Sequence, residues 1–353
     1  MMINSNSKKM PFIIAGPCSA ESEEQLIETA KKISASGKVN MLRAGIWKPR
    51  TRPNAFEGVG SIGLPWLIEA GKQANLPVVT EIANAKHVEL VLKAGIKHIW
   101  IGARTSVNPF AIQEIADSLK GSSIEVFVKN PINPDLNLWI GAIERLKNAD
   151  IKDVHAIHRG FSSFKPNKYR NEPMWEIPIA LKNEFPDIQL LCDPSHIGGK
   201  RDLIQSISQK ALDLNYDGLM IETHRDPDKA WSDAEQQITP TELDVILANL
   251  VLRQEQNINK NLSSDLSTLR ENIDKIDRDI LTLLGNRMKI ADEIGIYKKT
   301  NNITILQLNR WREIQQAQQS YGPEQGLSLK FIEKYLEALH QESIRHQTKI
   351  MND

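Results

Sequence analysis

The sequence predicts an α/β protein with two parts, a (β/α)8 barrel and a C-terminal all-α domain. From residue 11 to about 224, a short β-rich run, a Gly/Pro/Asn turn and a helical stretch recur eight times. Eight such units are typical of a (β/α)8 barrel. Beyond about residue 260 the β-rich runs stop and a long helical pattern begins. The length of 353 residues agrees with one large and one smaller domain.

The eight predicted strands each close on a side chain with functional chemistry. The strands are residues 11–19, 39–45, 77–82, 98–102, 125–130, 154–160, 188–196 and 218–224. The side chains at or just past their C-terminal ends are Cys18, Arg43, Glu81, Arg104, Lys129, Arg159, His196 and Glu222. Any one of them alone is better explained as a solvated charge at a strand end. Eight in succession indicate a functional site, because the carboxyl ends of barrel strands share one rim.

Six cations are expected at this rim, although the chain has no net charge. They are Arg43, Lys48, Arg50, Arg104, Lys129 and Arg159. The balance of 44 Lys and Arg against 44 Asp and Glu argues against a broad surface for nucleic acid or an anionic membrane. Clustered cations repel one another until an anion compensates them. The cluster therefore predicts small substrates that carry phosphates and carboxylates.

Four further side chains have metal-ligand chemistry: Cys18, His196, Glu222 and Asp233. A lone cysteine is usually a small core residue, and Cys192, inside its strand, is assigned to the core. Cys18, His196 and Glu222 lie at predicted strand ends, and Asp233 follows the last strand by one loop. Together these four residues form a mixed donor set. This set suits a divalent transition ion, with no strong choice among manganese, iron, cobalt and zinc.

Cysteine content and hydropathy predict the compartment. Two cysteines are too few for a disulfide scaffold and agree with reducing surroundings. The N-terminal residues MMINSNSKKM lack the apolar stretch of a signal peptide, and no apolar run is long enough to span a bilayer. We expect a cytoplasmic protein without nucleic-acid or membrane partners.

The strand-end motifs together resemble those of the 3-deoxy-D-arabino-heptulosonate 7-phosphate (DAHP) synthases of the type I β-subgroup. The motifs are AGPCS, LRAGIWKPRT, IGAR, VFVKN, HRGFSSF, DPSH and IETHRDPDKAWSDAEQQ, and the resemblance covers about residues 11–250. It implies a metal-dependent condensation of phosphoenolpyruvate with erythrose 4-phosphate. The related octulosonate 8-phosphate synthases are the alternative, which KPRT and DPSH disfavour.

The resemblance also implies a role for each matched residue. Cys18, His196, Glu222 and Asp233 would bind the metal. Arg43, Lys48, Glu81, Arg104, Lys129 and Arg159 would surround phosphoenolpyruvate, and Arg50 and Thr51 would hold the phosphate of erythrose 4-phosphate. Lys48 is the candidate proton donor, and Glu81 is a candidate for positioning water. Asn130 and His158 depart from the residues that are common in relatives, which affects local geometry only.

The C-terminal region begins after a polar segment that indicates a linker. We predict a barrel domain at 1–252, a linker at 253–263 and a helical domain at 264–353. Apolar residues then follow a three-four spacing: Leu266, Leu269, Ile273, Ile276, Ile280, Leu283, Ile290 and Ile294. This pattern predicts a helix over 264–299, on the order of 54 Å long at ~1.5 Å per residue. Because the remaining segments are too short to cover it, we expect a homodimer through this domain.

Arg287 interrupts the apolar seam of that helix, so it needs an anionic partner. Lys298 lies eleven positions later, about 20° away around a helix that turns ~100° per residue. The two cations are therefore predicted to face one pocket. Arg270 is roughly 100° from that direction, which would suit the pocket of a partner subunit.

The tail resembles the all-helical chorismate mutases, which have three helices. The resemblance rests on LRENIDKIDRDILTLLGNRMKIADEIGIYKK, Arg310 and QESIRHQ. It implies that chorismate is rearranged to prephenate. Arg270 of the other protomer and Arg287 would bind the carboxylates, Lys298 and Gln347 would act at the ether oxygen, and Arg310 and Ser343 would complete the pocket.

Gln307 and Trp311 depart from the mutase pattern, because relatives commonly have acidic residues there. The alternative therefore stays open that the tail is an inactive mutase-like domain that serves as a regulatory dimerisation module. A membrane-binding tail is disfavoured, because acidic and basic residues alternate along it. The fusion of two activities also suggests allosteric feedback by prephenate.

Overall fold

The computed structural model describes residues 10–48, 56–164, 168–253 and 260–352, with side chains from residue 265 onward in the last range. The chain divides into two compact units, Met1–Glu255 and Gln256–Asp353, which are described separately. The domain bounds predicted at 252, 253–263 and 264 stay a prediction, since most of the linker lies outside the described residues.

The first unit is a closed barrel of eight parallel strands, in which each strand pairs with the next and the last pairs with the first. The strands are β1 Phe12–Gly16, β2 Met41–Arg43, β3 Val78–Ile82, β4 His98–Ile101, β5 Glu125–Lys129, β6 Val154–His158, β7 Leu190–Cys192 and β8 Gly218–Glu222. Each lies inside a predicted strand, so the predicted fold class is confirmed.

Helices follow the strands and cover the barrel. They are α1 Glu23–Ser34, α2 Gly63–Ala74, α3 Ala85–Ala94, α4 Pro109–Leu119, α5 Leu136–Asn148, α6 Glu176–Glu184, α7 Pro194–Gly198, α8 Ile204–Asp213 and α9 Pro240–Asn249. Six begin at a side chain that accepts a hydrogen bond from the first turn, namely Ser22, Asn84, Asn108, Asp135, Asp193 and Thr239. These caps satisfy backbone donors that would otherwise lack partners.

The strand at residues 188–196 was predicted too long. β7 ends at Cys192, and Asp193 caps the short helix α7 by accepting a hydrogen bond from the backbone N–H of His196. Pro194 has no N–H for the sheet and suits the first helical position. His196 therefore lies on a helical turn rather than at a strand end.

The barrel interior is filled by one buried side chain from each strand. These are Ile14, Met41, Val79, Trp100, Phe127, Ile157, Leu191 and Met220. Side chains alternate along a strand, so the residues two positions later form the next inward layer toward the carboxyl ends. That layer consists of Gly16, Arg43, Glu81, Gly102, Lys129, Arg159, Asp193 and Glu222. The alternation therefore places several predicted functional residues in one layer at the carboxyl ends of the strands.

Gly16 and Gly102 leave room in this layer. A Cβ on Gly102 would lie 2.0 Å from Oε1 of Glu81, and a Cβ on Gly16 would lie 2.2 Å from the carbonyl oxygen of Arg43. A larger residue at position 16 would clash with the backbone of β2, and one at position 102 would displace the carboxylate of Glu81. The two glycines therefore allow the charged side chains to occupy the mouth.

The second unit is all-α with three helices, α10 Lys260–Thr300, α11 Leu308–Glu324 and α12 Leu329–Asn352, as predicted. α10 and α11 both pack on α12. Much of the apolar seam of α10 remains exposed in this single chain, with Leu269 at 60% and Leu283 at 68%. None of the described helices is long and apolar enough to cross a membrane.

Candidate active site

Arg43 lies at the floor of the barrel mouth and is almost fully buried. Its Nη2 donates a hydrogen bond to Oε1 of Glu222 at 3.0 Å, and its guanidinium lies 4.8 Å from the ring centre of Trp100. Burial would lower the pKa of Arg43, but Glu222 and Asp193 raise it above its ordinary value. Nε and Nη1 have no hydrogen-bond partner among the described residues. The side chain is thus a fixed cation with two donors left for an anion.

Lys129 lies beside Arg43 across the ring of Trp100, at 5.7 Å from its centre. Its ammonium group is 2.7 Å from Oδ2 of the buried Asp193. Burial would raise the pKa of Asp193, but His196 and Lys129 hold it well below the ordinary value. Asp193 also lies 2.8 Å from Nδ1 of His196, so it orients both a predicted phosphoenolpyruvate ligand and a predicted metal ligand. The role of Asp193 was not predicted from the sequence, although the motif DPSH contains this residue.

Lys48 reaches the opposite part of the mouth. Its Nζ lies 2.8 Å from Sγ of Cys18 and 3.1 Å from the carbonyl oxygen of Cys18. Burial would lower the pKa of Lys48, but the negative charge that Cys18, Glu222 and Glu81 can contribute raises it. Glu81 is half-buried and close enough to influence both Lys48 and Arg43. The structure therefore brings the candidate proton donor and Glu81 to the same mouth.

The four predicted metal ligands form two contacting pairs. Sγ of Cys18 lies 3.2 Å from Oδ2 of Asp233, and Nε2 of His196 lies 3.7 Å from Oε1 of Glu222. Burial, with the carboxylates of Glu222 and Asp233 nearby, raises the pKa of Cys18 to about 12. Burial would also raise the pKa of Asp233, but His196, Lys48 and Arg170 hold it below its ordinary value. The thiol thus needs a stronger cation than Lys48 to become a thiolate.

The donor set fits a divalent ion in chemistry and in the separation within each pair. Ligand bonds of roughly 2.0–2.3 Å allow donor atoms of one ion to lie at such separations. Within the described ranges, however, no three His, Cys, Asp or Glu groups are arranged as a coordination shell. Instead, Lys48 donates a hydrogen bond to Cys18, and Arg43 and Gln236 donate to Glu222. Coordination would require the donors to exchange those bonds for the ion.

Arg159 and Arg104 extend the positive region toward solvent. Arg159 is buried and donates to Oδ1 of Asn171 at 2.7 Å, whereas Arg104 is exposed. Burial lowers the pKa of Arg159 to about 10, and the nearby cations Arg170 and Arg104 act in the same direction. This excess of positive charge favours an anionic ligand. Arg50 and Thr51, predicted for the second phosphate, lie outside the described residues.

Two adjacent glutamines support the predicted metal ligands. Gln236 donates to Oε2 of Glu222 at 2.6 Å and accepts from Arg170 at 2.6 Å. Gln237 accepts from the backbone N–H of Cys18 at 2.9 Å. Asp233, just before them, adopts a left-handed backbone conformation with φ of 47°. Sequence analysis did not assign roles to the glutamines, because an amide carries no charge or metal preference that would single it out.

His158 supports strand β6 and does not face the mouth. Its Nε2 lies 2.6 Å from the carbonyl oxygen of Pro173, which can only accept, so Nδ1 accepts from the hydroxyl of Tyr216 at 2.9 Å. Burial lowers the pKa of His158 to about 3. The departure at this position therefore places a neutral, fully bonded imidazole behind Arg159.

The helical unit has its own cation cluster. Lys298 is buried, and its Nζ lies 3.1 Å from Oε1 of Gln347 and 2.6 Å from the carbonyl oxygen of Ile305. Nη1 of Arg287 lies 2.6 Å from Oγ of Ser343. Burial lowers the pKa of Lys298. Four predicted residues of the second site therefore lie together between α10 and α12.

Two other predicted residues lie away from this cluster. Arg310 is exposed and forms an ion pair with Glu313 at 3.0 Å. Arg270 is exposed on α10, 17 residues before Arg287, which corresponds to about 25 Å along a helix at ~1.5 Å per residue. Within one chain Arg270 cannot reach the pocket of Arg287. Trp311 stacks on His340, while Gln307 and Lys298 line a cavity of about 350 Å³.

Comparison with known proteins agrees with both parts of this description. The model of the DAHP synthetase I family matches residues 3–258, and the model of chorismate mutase type II matches residues 269–348. A phospho-2-dehydro-3-deoxyheptonate aldolase of Thermotoga maritima is 35% identical over 227 residues, which is 64% of each chain. A 2-dehydro-3-deoxyphosphooctonate aldolase of Caulobacter vibrioides is 27% identical over 266 residues, 70% of this chain and 88% of that protein.

Solved structures give the same relationship. A crystal structure of Thermotoga maritima DAHP synthase superposes with a TM-score of 0.61 at 30% identity, covering 67% of each chain. A truncated form of the synthase from the same organism has a TM-score of 0.59 at 27% identity, covering 70% of this chain and 88% of that one. This chain spans about 64% of the length of the Thermotoga relative that it matches in sequence. The chain belongs to the DAHP synthetase I family and carries a C-terminal segment of the chorismate mutase type II family.

Proposed function

We propose that the barrel condenses phosphoenolpyruvate with D-erythrose 4-phosphate to give 3-deoxy-D-arabino-heptulosonate 7-phosphate and phosphate. One observation carries the proposal: Arg43 has two nitrogens, Nε and Nη1, without a hydrogen-bond partner among the described residues, and it lies at the mouth between Glu222 and the ring of Trp100. Lys129 and Arg159 lie on the same inward layer. A substrate that combines a carboxylate with a phosphate would satisfy these donors together.

The proposed chemistry assigns binding, positioning and proton transfer to the chain. When bound, a divalent ion supplies Lewis acidity toward the aldehyde oxygen of the second substrate. Arg43, Lys129, Arg159 and Arg104 hold phosphoenolpyruvate so that its methylene carbon faces the aldehyde. Water then adds to the carbon that carries the phosphate, and phosphate leaves. Lys48 donates the proton to the developing alkoxide, and Glu81 positions the water.

The proposed metal ligands are Cys18, His196, Glu222 and Asp233, with Mn²⁺ as the first choice and Fe²⁺, Co²⁺ or Zn²⁺ as alternatives. The two contacting pairs support this assignment. Members of this family are generally metal-dependent. Arg50 and Thr51 are proposed to hold the phosphate of erythrose 4-phosphate.

We infer that the helical unit rearranges chorismate to prephenate. The reaction is unimolecular, so it needs no nucleophile and no metal. Cations that hold both carboxylates in the reactive conformer supply the catalysis. Lys298 and Gln347 would bind the ether oxygen and Arg287 a carboxylate, with Ser343 and Arg310 completing the pocket and Arg270 supplied by the partner subunit.

The apolar face of α10 supports a homodimer, because Leu269, Ile273, Ile276 and Leu283 are each more than half exposed in one chain. We propose that the protein acts in the cytoplasm. We also propose that prephenate, bound in the mutase pocket, inhibits the synthase. Synthase rates that do not change at saturating prephenate would contradict this regulation.

A coupled assay on purified, metal-defined protein tests both activities. Erythrose 4-phosphate should be consumed with phosphoenolpyruvate, and arabinose 5-phosphate should react far more slowly. Chorismate should disappear without added metal. A preference for arabinose 5-phosphate would favour the octulosonate reaction, and stable chorismate would favour the inactive dimerisation module.

A further inference from the structure

A stacked aromatic pair lies next to the cation cluster of the helical unit. Trp311 on α11 and His340 on α12 have ring centroids 3.9 Å apart with planes at 17°. Both side chains are half-buried. Stacking on a large indole restricts the rotation of the imidazole, so its nitrogens have defined directions.

His340 shares a helix face with two residues of the cluster. It precedes Ser343 by three positions and Gln347 by seven, a spacing that places all three on one side of α12. Ser343 is bonded to Arg287, and Gln347 is bonded to Lys298. The imidazole therefore lies on the side of α12 that contacts both cations, and both are close enough to influence it.

The electrostatic surroundings of His340 are positive. Burial lowers the pKa of His340, and Arg287 and Lys298 of α10 lower it further. α11 contributes the uncharged Trp311, and no carboxylate is among the groups that shift this pKa. The imidazole is therefore neutral at pH 7 and can donate one hydrogen bond.

We propose that His340 is a substrate-binding residue of the mutase pocket, donating a hydrogen bond to an oxygen of the bound cyclic dicarboxylate, and that Trp311 positions its ring. This inference rests on the proposed mutase function of the helical unit. A bound dianion would bring negative charge beside the imidazole and oppose the effect of Arg287 and Lys298. Binding is then coupled to proton uptake.

Calorimetry of the full-length protein with prephenate as the probe tests this coupling. Titrations at about pH 6.5, near the ordinary range of imidazole, use two buffers of different ionisation enthalpy. The wild-type protein should take up a fraction of a proton per prephenate bound. His340→Phe should bind roughly tenfold more weakly or worse, as expected for the loss of one hydrogen bond to a charged group, and should take up no proton.

Two further variants separate hydrogen bonding from titration. His340→Gln keeps a donor, so its affinity should stay within about threefold of wild type while proton uptake is lost. Trp311→Leu removes the stacking partner, so binding should weaken while proton uptake remains. His346→Phe is the matched control, because His346 lies on the same helix but pairs with Asp292, and it should behave as wild type.

Wild-type affinity and proton uptake in His340→Phe would overturn the proposal, as would wild-type protein that does not bind prephenate. Failure of the proposed mutase function is a separate outcome. Protein that binds prephenate with the expected proton uptake but leaves chorismate unchanged would contradict the mutase activity and still support the role of His340.

Discussion

At the barrel mouth, buried residues of opposite charge are paired with one another. Arg43 and Lys129 are buried cations, and each is held by a buried carboxylate, Glu222 and Asp193 respectively. Breaking a buried pair leaves one charge without compensation, which costs more than the pair contributes to stability. The remaining donors of Arg43 are free for a ligand only because Glu222 holds the guanidinium in place.

Asp193→Asn should destabilise the barrel by about 3–5 kcal/mol at pH 7, since it leaves Lys129 buried without a counter-charge. The pKa of Asp193 is well below its ordinary value in the folded state. Its stabilising effect is thus complete above the ordinary pKa and is lost as the pH falls toward the lower folded pKa. Urea unfolding at several pH values should show the difference from wild type shrinking below about pH 4. A difference that does not change with pH would contradict this account.

Cys18→Ala should abolish the metal-dependent condensation, because it removes the thiol from the proposed ligand set. The matched control is Cys192→Ala, which removes a thiol that is buried in the barrel shell. That variant should lose some stability but keep its metal dependence. Initial rates after chelation and re-addition of Mn²⁺ measure the effect, and full activity of Cys18→Ala would refute the ligand assignment.

Prediction from sequence succeeded for the residues that are unusual in their surroundings. Arg43 and Lys129 are charges at the ends of apolar strands, so the pattern alone places them at one rim. Asp193 was missed, because a carboxylate before a proline is also a common helix cap. The side-chain directions of Arg104 and Arg310 could not be predicted, since the direction of a long exposed side chain depends on contacts that no local pattern encodes.

Strands and helices determine how these side chains meet. In the barrel, the two-residue alternation places hydrophobic side chains such as Trp100 and Phe127 one layer below Lys129 and Glu222. All eight strands could be predicted, because turn residues and caps bound each apolar run. The short helix α7 was mistaken for a continuing strand, since it follows the buried apolar run Leu190–Cys192 after the single residue Asp193.

The long helix α10 leaves much of its apolar face exposed in a single chain. Leu283→Glu should prevent the proposed homodimer from forming, because a carboxylate in a helix–helix seam would be buried without a partner. The control Arg278→Glu lies roughly 140° away from Ile273 around the helix and should stay dimeric. Sedimentation velocity distinguishes the two states. A dimeric Leu283→Glu protein would contradict an interface along this seam.

At the scale of the whole molecule, one chain combines two sites with different requirements. The barrel mouth gathers a thiol, an imidazole, carboxylates and cations, as expected for chemistry on two anionic substrates around an ion. The helical pocket gathers cations and amides, as expected for holding one dianion without a metal. The two sites therefore predict opposite responses to chelation: loss of the condensation and retention of the rearrangement.

The central claim is that Cys18, His196, Glu222 and Asp233 share one divalent ion at the barrel mouth. Titration of metal-free protein with Co²⁺, followed by absorption spectroscopy, tests it most directly, since a thiolate ligand gives a sulfur-to-cobalt charge-transfer band. We predict one Co²⁺ per chain with this band, and loss of the band in Cys18→Ala. Stoichiometric binding without a sulfur band, or an unchanged band in Cys18→Ala, would contradict the claim.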